Sequence, residues 1–360
     1  MRLSRRKAWA AGLLAGFVLL GLTGYWFRTQ IALAAFDLFF AKRVKAQLEQ
    51  SYQPIDRNAP EGGQDGRLPG DGRKEAAEKA DRPFTLLLLG SDSRGRERGR
   101  SDTMIVAVVR PRDGAMLLVS IPRDARVSIP GREKPEKIAH AYAYGGAGLA
   151  VETVERFLDI EIDHYASINF KGFREVIDTI GGIKLPIEKD LVNKDPNHEH
   201  FVVKAGQPFY NGEDALNYVR FREDAGGDAS RTKRQQIFLQ AIIDKASEVG
   251  EWRKIPELIE IMGSNFATDI PPDDLLRLAE QMLRSKTRPI YSHTLEGKGR
   301  MEGGVWYFIA DERDAEQVTS WIRAWLDADA DFQSLPKPEQ AGTDGAESAG
   351  GIVRGNGGTA

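Results

Sequence analysis

Apolar and polar residues alternate along the middle of the chain in patterns that are typical of a mixed α/β domain. Apolar runs of strand length predict β-strands at residues 84–89, 104–109, 115–121, 160–168, 183–187, 290–294 and 305–309. Apolar residues at helical spacing predict helices at residues 148–158, 170–180, 211–220, 232–247, 255–262, 273–283 and 314–327. Strands mixed with helices predict a single α/β domain over residues 82–332, with a central mixed β-sheet flanked by helices.

The N-terminal residues predict a membrane anchor. A basic cluster at residues 1–7 precedes residues 8–27, which carry no charged side chain. As a helix, this run would span about 30 Å, the thickness of a hydrocarbon core. Because basic residues stay on the cytoplasmic side, we expect a cytoplasmic tail at 1–7, a transmembrane helix at 8–27 and an extracellular domain at the cell membrane. A cleaved signal peptide is the alternative, but its apolar region is usually shorter.

Three further segments flank the predicted anchor and domain. Residues 28–50 predict a helical juxtamembrane segment. Residues 51–81 are rich in Pro, Gly and charged side chains, and they bury too little apolar surface to fold alone, so we expect a flexible linker. Residues 333–360 are rich in Gly, Ala and acidic residues, which predicts a disordered tail.

Composition narrows the classes of function. A net charge of −3 over 360 residues, with no helix-turn-helix pattern, argues against a nucleic-acid partner. The absence of Cys excludes disulfides, thiolate catalysis and Cys-ligated metals. The sequence has no Walker A or G-x-S-x-G motif, and no G-x-G-x-x-G between a strand and a helix. Hypotheses of an NTPase, a serine hydrolase or a dinucleotide-binding protein therefore lack support.

Arginines concentrate next to the predicted strands and in a second stretch near residues 218–236. These candidates are Arg94, Arg100, Arg123, Arg220, Arg222, Arg231 and Arg234. Each guanidinium is a planar fork of donors that matches phosphate oxygens. A solvent-exposed ion pair is the ordinary alternative for any single one. Arg220 and Arg222 are two residues apart and would share a face of an extended segment, while Arg231 and Gln235 would share a helix face.

Three carboxylates accompany these arginines. Asp92 follows the first predicted strand, Asp102 precedes the second, and Asp228 lies in the Arg-rich stretch. Oxygen ligands without His or Cys suit Mg²⁺ or Mn²⁺, which often share their ligands with a substrate's phosphates. Turn and cap chemistry explains the same residues equally well, and the residues alone leave both interpretations open. Arg and Asp at strand ends are typical of a site for a metal-bound phosphate ester.

Eight motifs in order resemble the LytR-CpsA-Psr family over about residues 84–243. They lie at residues 88–94, 100–104, 119–124, 137–146, 169–173, 178–183, 216–222 and 227–236. The resemblance implies an extracytoplasmic phosphotransferase of cell-wall biogenesis, which takes a glycopolymer (teichoic acid, capsule or similar) from a polyprenyl-pyrophosphate carrier. It implies that the polymer is joined to peptidoglycan through a phosphodiester, next to the lipid bilayer.

The resemblance also implies roles for particular residues. The residues that would bind the pyrophosphate are Arg123, Arg220, Arg222, Arg231 and Gln235. Lys137 would be a further phosphate contact, which the family motif assigns less directly. Asp92 and Asp102 would hold Mg²⁺, with Mn²⁺ as a substitute, and Arg100 would fix their loop. Asp228 would support the arginines or act as general base. Helices 148–158 and 170–180 would wall a groove for the lipid.

Two other functions remain compatible with the same site. One is a polyprenyl-pyrophosphate hydrolase, which would use water as the acceptor. The other is a non-catalytic sensor or binding protein for the lipid pyrophosphate in the cell envelope. The Asp92 and Asp102 pair favours catalysis, because a binding protein has less need of a metal site.

Overall fold

The computed structural model describes residues 46, 48–55, 81–92, 99–194, 200–221, 227–246, 257–258, 260–261, 265–284 and 289–338, and for residues 227–233, 236, 243, 246, 279–280 and 282–284 the backbone alone. The predicted tail at 1–7 and transmembrane helix at 8–27 lie outside these residues. Within the described ranges, no helix combines the length and the apolar character that crossing a membrane requires.

Twelve strands and six α-helices make up the described part of the chain. The strands are β1 (Phe84–Ser91), β2 (Ser101–Arg110), β3 (Ala115–Ser120), β4 (Arg126–Val127), β5 (Glu136–Lys137), β6 (His164–Asn169), β7 (Leu191–Asn193), β8 (Phe201–Val203), β9 (Phe266–Thr268), β10 (Ile290–Thr294), β11 (Gly297–Glu302) and β12 (Val305–Ala310). The helices are α1 (Ala139–Leu158), α2 (Phe170–Thr179), α3 (Gly212–Arg220), α4 (Gly227–Ala246), α5 (Pro272–Arg284) and α6 (Glu312–Leu326).

The central sheet is mixed, as the sequence predicts. Its six strands lie in the order β10-β3-β2-β1-β6-β9. Strands β1 and β3 both pair antiparallel with β2, whereas β6 runs parallel to β1 and β10 runs parallel to β3. Four strands therefore point the same way and end at one edge of the sheet, where β2 begins. The prediction of an α/β domain with a central mixed sheet flanked by helices is confirmed.

The two faces of this sheet are packed differently. One face, which includes Leu87 and Val106, is covered by α1 and α6 and forms the main core. Fully burying an aliphatic side chain contributes roughly 1.5–3 kcal/mol relative to exposure. On the other face, Leu86 and Leu88 remain only half-buried, although Leu239 of α4 packs against the cluster to which they belong. The second face therefore keeps partly open apolar surface.

Local signals explain where the main helices begin. The side chain of Asn169, directly after β6, accepts a hydrogen bond from the Gly172 N–H at 2.8 Å and caps α2. Asn211 caps α3 in the same way through the Asp214 N–H. Such caps satisfy backbone donors that have no partner inside the helix. These two caps fix where α2 begins, directly after β6, and where α3 begins.

Two predicted elements differ from the structure. The prediction of a strand at residues 183–187 is wrong, because only Ile183 makes a single bridge, to Tyr210, and Pro186 lacks the N–H that a ladder needs. Helix α1 begins at Ala139, nine residues before the predicted start at 148. Its regular spacing is interrupted at Gly146, whose φ of 68° and ψ of −153° are not helical.

Residues at both ends of the domain lie against it. Gln53, in the expected linker 51–81, donates its N–H to the Thr268 carbonyl at 2.7 Å and accepts a hydrogen bond from the Tyr165 hydroxyl at 2.8 Å. In the expected tail 333–360, the Pro336 carbonyl accepts a hydrogen bond from the Trp325 indole at 2.8 Å. The described parts of these two segments, 51–55 and 333–338, thus contact the domain.

Candidate functional site

The charged residues that the sequence singles out gather at one edge of the central sheet. This is the edge where β1, β3 and β6 end and where β2 begins. Asp92 follows β1, Asp102 lies at the start of β2, and Arg123 follows β3. Open α/β sheets bind ligands outside the carboxyl ends of their parallel strands. The fold therefore presents these side chains at the place where such sheets most often bind ligands.

The paired ends of β1 and β2 form the floor of the site. Gly90 pairs with Thr103, and the register shifts between Gly90 and Ser91. A side chain at Gly90 would place its Cβ 3.1 Å from the Thr103 Cβ, so the close approach favours glycine. Beyond this shift, the Asp92 N–H donates to the Arg100 carbonyl at 3.2 Å. That bond holds Asp92 and Arg100 opposite each other, two residues before Asp102 along the chain.

Arg123 lies at the centre of an alternating chain of charges. Its Nη1 donates a hydrogen bond to Oδ1 of Asp102, and its Nε lies 3.7 Å from Oδ2 of Asp124. The other oxygen of Asp124 lies 2.7 Å from Nζ of Lys137. Asp124 is the most buried member, with a side chain 10% exposed, whereas the Arg123 and Lys137 side chains are 24% and 25% exposed. Both cations are thus held in place while they remain open to a ligand.

The Nε of Arg123 has a further property. It is buried and makes no hydrogen bond to the described residues. Leaving a buried donor unpaired costs about 1–3 kcal/mol, so such a group is expected to have a ligand in the working protein. The guanidinium plane as a whole matches an anion with several oxygens, such as a phosphate.

Backbone hydrogen bonds fix the segment that carries Arg123. The Arg123 carbonyl accepts from the Ala139 N–H at 3.1 Å, at the start of α1. The Asp124 carbonyl accepts from the Phe308 N–H of β12 at 2.9 Å, and the Ala125 carbonyl accepts from the Ile138 N–H at 2.8 Å. Three consecutive carbonyls are therefore bonded to other elements, which makes this segment a rigid support for its side chains.

Helix α4 reaches the same edge through Gln235. This side chain is 9% exposed, and its Nε2 donates to Oγ1 of Thr103 at 3.1 Å. Arg220, the last residue of α3, places its guanidinium carbon 4.9 Å from the centroid of the Phe170 ring. A guanidinium held against an aromatic face keeps its edge donors directed outward. The structure therefore brings Gln235 to Thr103 at the site edge and orients Arg220 at the end of α3.

Arg234, in contrast, is used inside the protein. It is 8% exposed, donates to the Phe221 carbonyl at 2.8 Å and lies 5.0 Å from the centroid of the Phe221 ring. Burial lowers the pKa of Arg234 and raises the pKa of neighbouring Tyr218 to about 12. Although its residue type fits phosphate, Arg234 ties α4 to the end of α3, so this candidate has a structural role.

Four predicted residues remain untested by the geometry. Arg94 and Arg222 lie outside the described residues, and so do the side chains of Asp228 and Arg231, whose backbone forms the first turns of α4. Their roles in binding pyrophosphate, and that of Asp228 as general base, stay predictions. The backbone shows that one helix carries Asp228, Arg231 and Gln235. Because they are three and four residues apart, they lie on the same face of that helix.

The residues present are compatible with a divalent metal of the Mg²⁺ type. In the part of the chain that is described, no group of three or more His, Asp or Glu side chains could hold a metal ion. Mg²⁺ is, however, usually bound by one or two carboxylates together with substrate phosphates. Asp92 and Asp102, at the paired ends of β1 and β2, fit that arrangement, and Arg123 occupies one oxygen of Asp102.

The sequence interpretation missed two residues of this site. Asp124 bridges Arg123 and Lys137, and Thr103 accepts the hydrogen bond from Gln235. The alternation of cationic and acidic residues at 123–124 was the available signal for Asp124. Thr103 had none, because its partner is 132 residues away in the sequence.

Comparisons with known proteins agree with the resemblance in the sequence. Residues 38–323 match the model of the LytR_cpsA_psr family. The polyisoprenyl-teichoic acid–peptidoglycan teichoic acid transferase TagU of Enterococcus faecalis is 39% identical over 248 residues, which are 68% of this chain and 80% of that protein. The protein of the same name from Bacillus subtilis is 32% identical over 255 residues, covering 71% and 81%.

Solved structures with the same fold include members of this group. The crystal structure of B. subtilis TagV has a TM-score of 0.59 and 34% identity, covering 69% of this chain and 99% of that chain. The structure of TagT bound to LIIa-WTA has a TM-score of 0.59 and 32% identity, covering 69% and 92%.

Proposed function

This chain belongs to the LytR_cpsA_psr family, and from that premise we propose that it transfers a glycopolymer from a polyprenyl-pyrophosphate carrier to peptidoglycan. The polymer is of the teichoic acid, capsule or similar class, and the new bond is a phosphodiester. The observation that carries the proposal is the half-buried Arg123, whose Nε has no hydrogen bond to the described residues, held beside Asp102 and linked to Lys137 through Asp124 at the carboxyl edge of the sheet. The transferase names of the relatives support it.

The chemistry follows from where charge develops. An acceptor hydroxyl forms a bond to the phosphorus nearest the glycan, and the bond from that phosphorus to the lipid phosphate breaks. Polyprenyl phosphate leaves with the electron pair. Negative charge grows on the phosphoryl and bridging oxygens, where Arg123, Arg220 and Lys137 stabilise it. Arg222, Arg231 and Gln235 complete the proposed pyrophosphate site, and Arg100 fixes the loop of Asp92.

Mg²⁺, with Mn²⁺ as a substitute, is the proposed cofactor. Asp92 and Asp102 would hold it together with the substrate phosphates. When bound, a divalent ion neutralises charge on the phosphoryl oxygens as a Lewis acid. Arg123 touches the same Asp102 carboxylate, so the arginine and the carboxylate are positioned by one contact. The protein thus arranges the carboxylates of Asp92 and Asp102 and the guanidinium of Arg123 around the position proposed for the phosphates.

The lipid chain is proposed to lie along the half-buried face of the sheet. Helix α1 covers the opposite face, so under this proposal it lies away from the groove, and the prediction that helices 148–158 and 170–180 wall the groove stays a prediction. The second face carries Leu86, Leu88 and Met116, with Leu239 of α4 opposite them. Gln235, on the same helix, contacts Thr103 at the end of this face, so lipid and pyrophosphate sites would be continuous.

The proposed location is the outer surface of the cell membrane. Residues 8–27 would anchor the chain there, with residues 1–7 in the cytoplasm and the domain outside. This arrangement brings the domain to the bilayer that holds its lipid-linked donor and to peptidoglycan, its acceptor.

The test uses the full chain in detergent with a synthetic polyprenyl-pyrophosphate-linked sugar, Mg²⁺ and peptidoglycan oligomers. Mass analysis is expected to find glycan-phosphate on the oligomer, and Arg220→Ala is expected to abolish it. Arg156→Ala is the matched control, because Arg156 forms an exposed pair with Glu152 at 2.6 Å on α1. Free sugar phosphate in place of the conjugate would identify a hydrolase, and bound but unchanged lipid would identify a sensor.

A further inference from the structure

A second polar cluster lies between β5 and α1, beside Arg123 and Lys137 of the proposed pyrophosphate site. Oε2 of Glu136 accepts a hydrogen bond from the Tyr144 hydroxyl at 2.6 Å and contacts Nδ1 of His140 at 2.9 Å. The guanidinium of Arg132 lies 3.7 Å from the centroid of the Tyr144 ring, and the His140 ring meets Tyr144 edge-on at 5.9 Å. One carboxylate oxygen thus organises a histidine and a tyrosine.

The hydrogen bonds decide which groups carry protons. The Tyr144 hydroxyl, and then His140, hold the pKa of Glu136 below its usual range, while the bond to Glu136 raises the pKa of Tyr144. Glu136 is therefore a carboxylate, which only accepts, so Nδ1 of His140 donates to it. In the neutral imidazole the lone pair then lies on Nε2. That nitrogen makes no hydrogen bond to any residue in the described ranges.

The backbone places this histidine next to the phosphate site. The Ala139 N–H, one residue before His140, donates to the Arg123 carbonyl at 3.1 Å. Lys137, the neighbour of Glu136 in β5, contacts Asp124 at 2.7 Å. Arg100 is close enough to Tyr144 to lower its pKa slightly against the larger effect of Glu136. The cluster therefore borders the same sheet edge as Arg123, on the side of β5 and α1.

We propose that His140 is the general base that takes the proton from the acceptor hydroxyl, and that Glu136 and Tyr144 are positioning residues for its imidazole. This inference rests on the proposed transferase function. As the acceptor oxygen bonds to phosphorus, its proton moves to Nε2 of His140, and the electron pair of the breaking P–O bond leaves with polyprenyl phosphate. The imidazolium formed beside Glu136 then releases the proton to solvent.

The cluster is more elaborate than a local structural role requires. The His140 and Glu136 side chains are 22% and 26% exposed, so water could satisfy them without a tyrosine. Orienting an imidazole through a carboxylate at Nδ1 is instead the arrangement by which proteins prepare Nε2 to accept a proton. Glu136 contacts this imidazole directly, and the charged groups that act on its partners Glu136 and Tyr144 are Arg132 and Arg100.

The test compares wild type and His140→Gln as full-length chains, in the transfer assay and across pH. Transfer by His140→Gln is expected to fall by about 10²–10⁴-fold, the usual contribution of a general base. Binding of the lipid pyrophosphate is expected to stay within about twofold, because this base contacts the acceptor. Wild-type kcat/KM is expected to fall towards acid as the base becomes protonated, and the variant is expected to lose this dependence. Added imidazole is expected to restore part of the activity of His140→Ala.

Controls separate a base from a structural residue. His164→Gln removes another histidine beside a carboxylate, with Nδ1 3.4 Å from Asp269 at the opposite end of β6, and is expected to keep the acid dependence. Glu136→Gln is expected to lower kcat less than His140→Gln, with unchanged lipid binding.

The outcomes distinguish this inference from the function on which it rests. Equal kcat and an equal pH profile for His140→Gln, in an assay where wild type is active, would overturn the base role alone. Loss of lipid binding together with transfer, without rescue by imidazole, would also overturn it. If wild type makes no conjugate, the transferase proposal fails and the base role fails with it.

Discussion

Lys137 and Asp124 form an ion pair, with 2.7 Å between Nζ and Oδ1, and the carboxylate is shared with Arg123. The pair joins the end of β3 to β5, and the Asp124 side chain is only 10% exposed. The two cations, which we propose to bind a phosphate, repel each other when no phosphate is bound. Asp124 offsets this repulsion, so it keeps Arg123 and Lys137 in place before the substrate arrives.

Asp124→Ala is expected to lower both stability and transfer. It leaves Lys137 and Arg123 without their shared partner, which should reduce the free energy of unfolding by about 1–3 kcal/mol. Urea denaturation measures this change. The control is Asp190→Ala, which removes an exposed pair of nearly equal length, 2.8 Å to Lys204, and a hydrogen bond from the Ala205 N–H, and should cost less than Asp124→Ala because the pair is exposed to solvent. Equal losses for both variants would contradict the role given to Asp124.

Arg123→Lys is expected to lose most of the transfer activity although the charge is kept. The guanidinium contacts Asp102 through Nη1 and presents a buried Nε–H, and an ammonium group cannot reproduce both directions. Loss of one preorganised donor typically reduces kcat by about 10²–10³-fold. Steady-state transfer kinetics measure this effect. A variant with lysine that keeps wild-type kcat would show that charge alone is sufficient at this position.

The meeting of Asp92, Asp102 and Arg123 was predictable because strand order follows from simple periodicity. Three successive apolar runs with short connections favour adjacent antiparallel strands, and alternate strand ends must then share an edge. The residues that border those ends are read directly from the sequence. This part of the site needs no knowledge of distant packing.

The role of Arg234 and the full extent of α1 were not predictable in this way. Arg234 has the residue type of a phosphate ligand, but packing of α4 on α3 places it against Phe221. Helix α1 changes direction at Gly146, so only its second half shows regular apolar spacing. In both cases tertiary contacts override a local pattern. Those contacts depend on how helices pack in three dimensions, which the spacing of apolar residues along a short stretch of sequence does not reveal.

Gly90→Ala is expected to damage the floor of the site. Its Cβ would lie 3.1 Å from the Thr103 Cβ, so the paired ends of β1 and β2 must separate slightly. Overpacking of this kind costs about 1–3 kcal/mol, and it should also disturb the bond from Gln235 to Thr103 and lower transfer. Thermal unfolding and the transfer assay report the two effects.

The matched control for Gly90 is Gly148→Ala in α1. There the new Cβ meets only Ile55, at an ordinary contact distance of 3.6 Å, and alanine favours a helix by up to about 1 kcal/mol. Gly148→Ala should therefore be neutral or stabilising. If both alanine variants behave alike, the close approach at Gly90 does not limit the site.

Tyr218→Phe is expected to remove part of the loss of stability at alkaline pH. Burial raises the pKa of Tyr218 to about 12 in the folded chain, above the ordinary value of 10.0. A raised pKa means that the folded state binds the phenolic proton more tightly than the unfolded state does. The resulting contribution to the free energy of unfolding is complete below pH 10 and is lost as pH rises through 12. Two pKa units correspond to a loss on the order of 2–3 kcal/mol for wild type. Urea denaturation at pH 9 and pH 12 measures how far the free energy of unfolding declines between these pH values, and the decline should be smaller in the phenylalanine variant. An equal decline in both proteins would show that Tyr218 ionises as freely when folded as when unfolded.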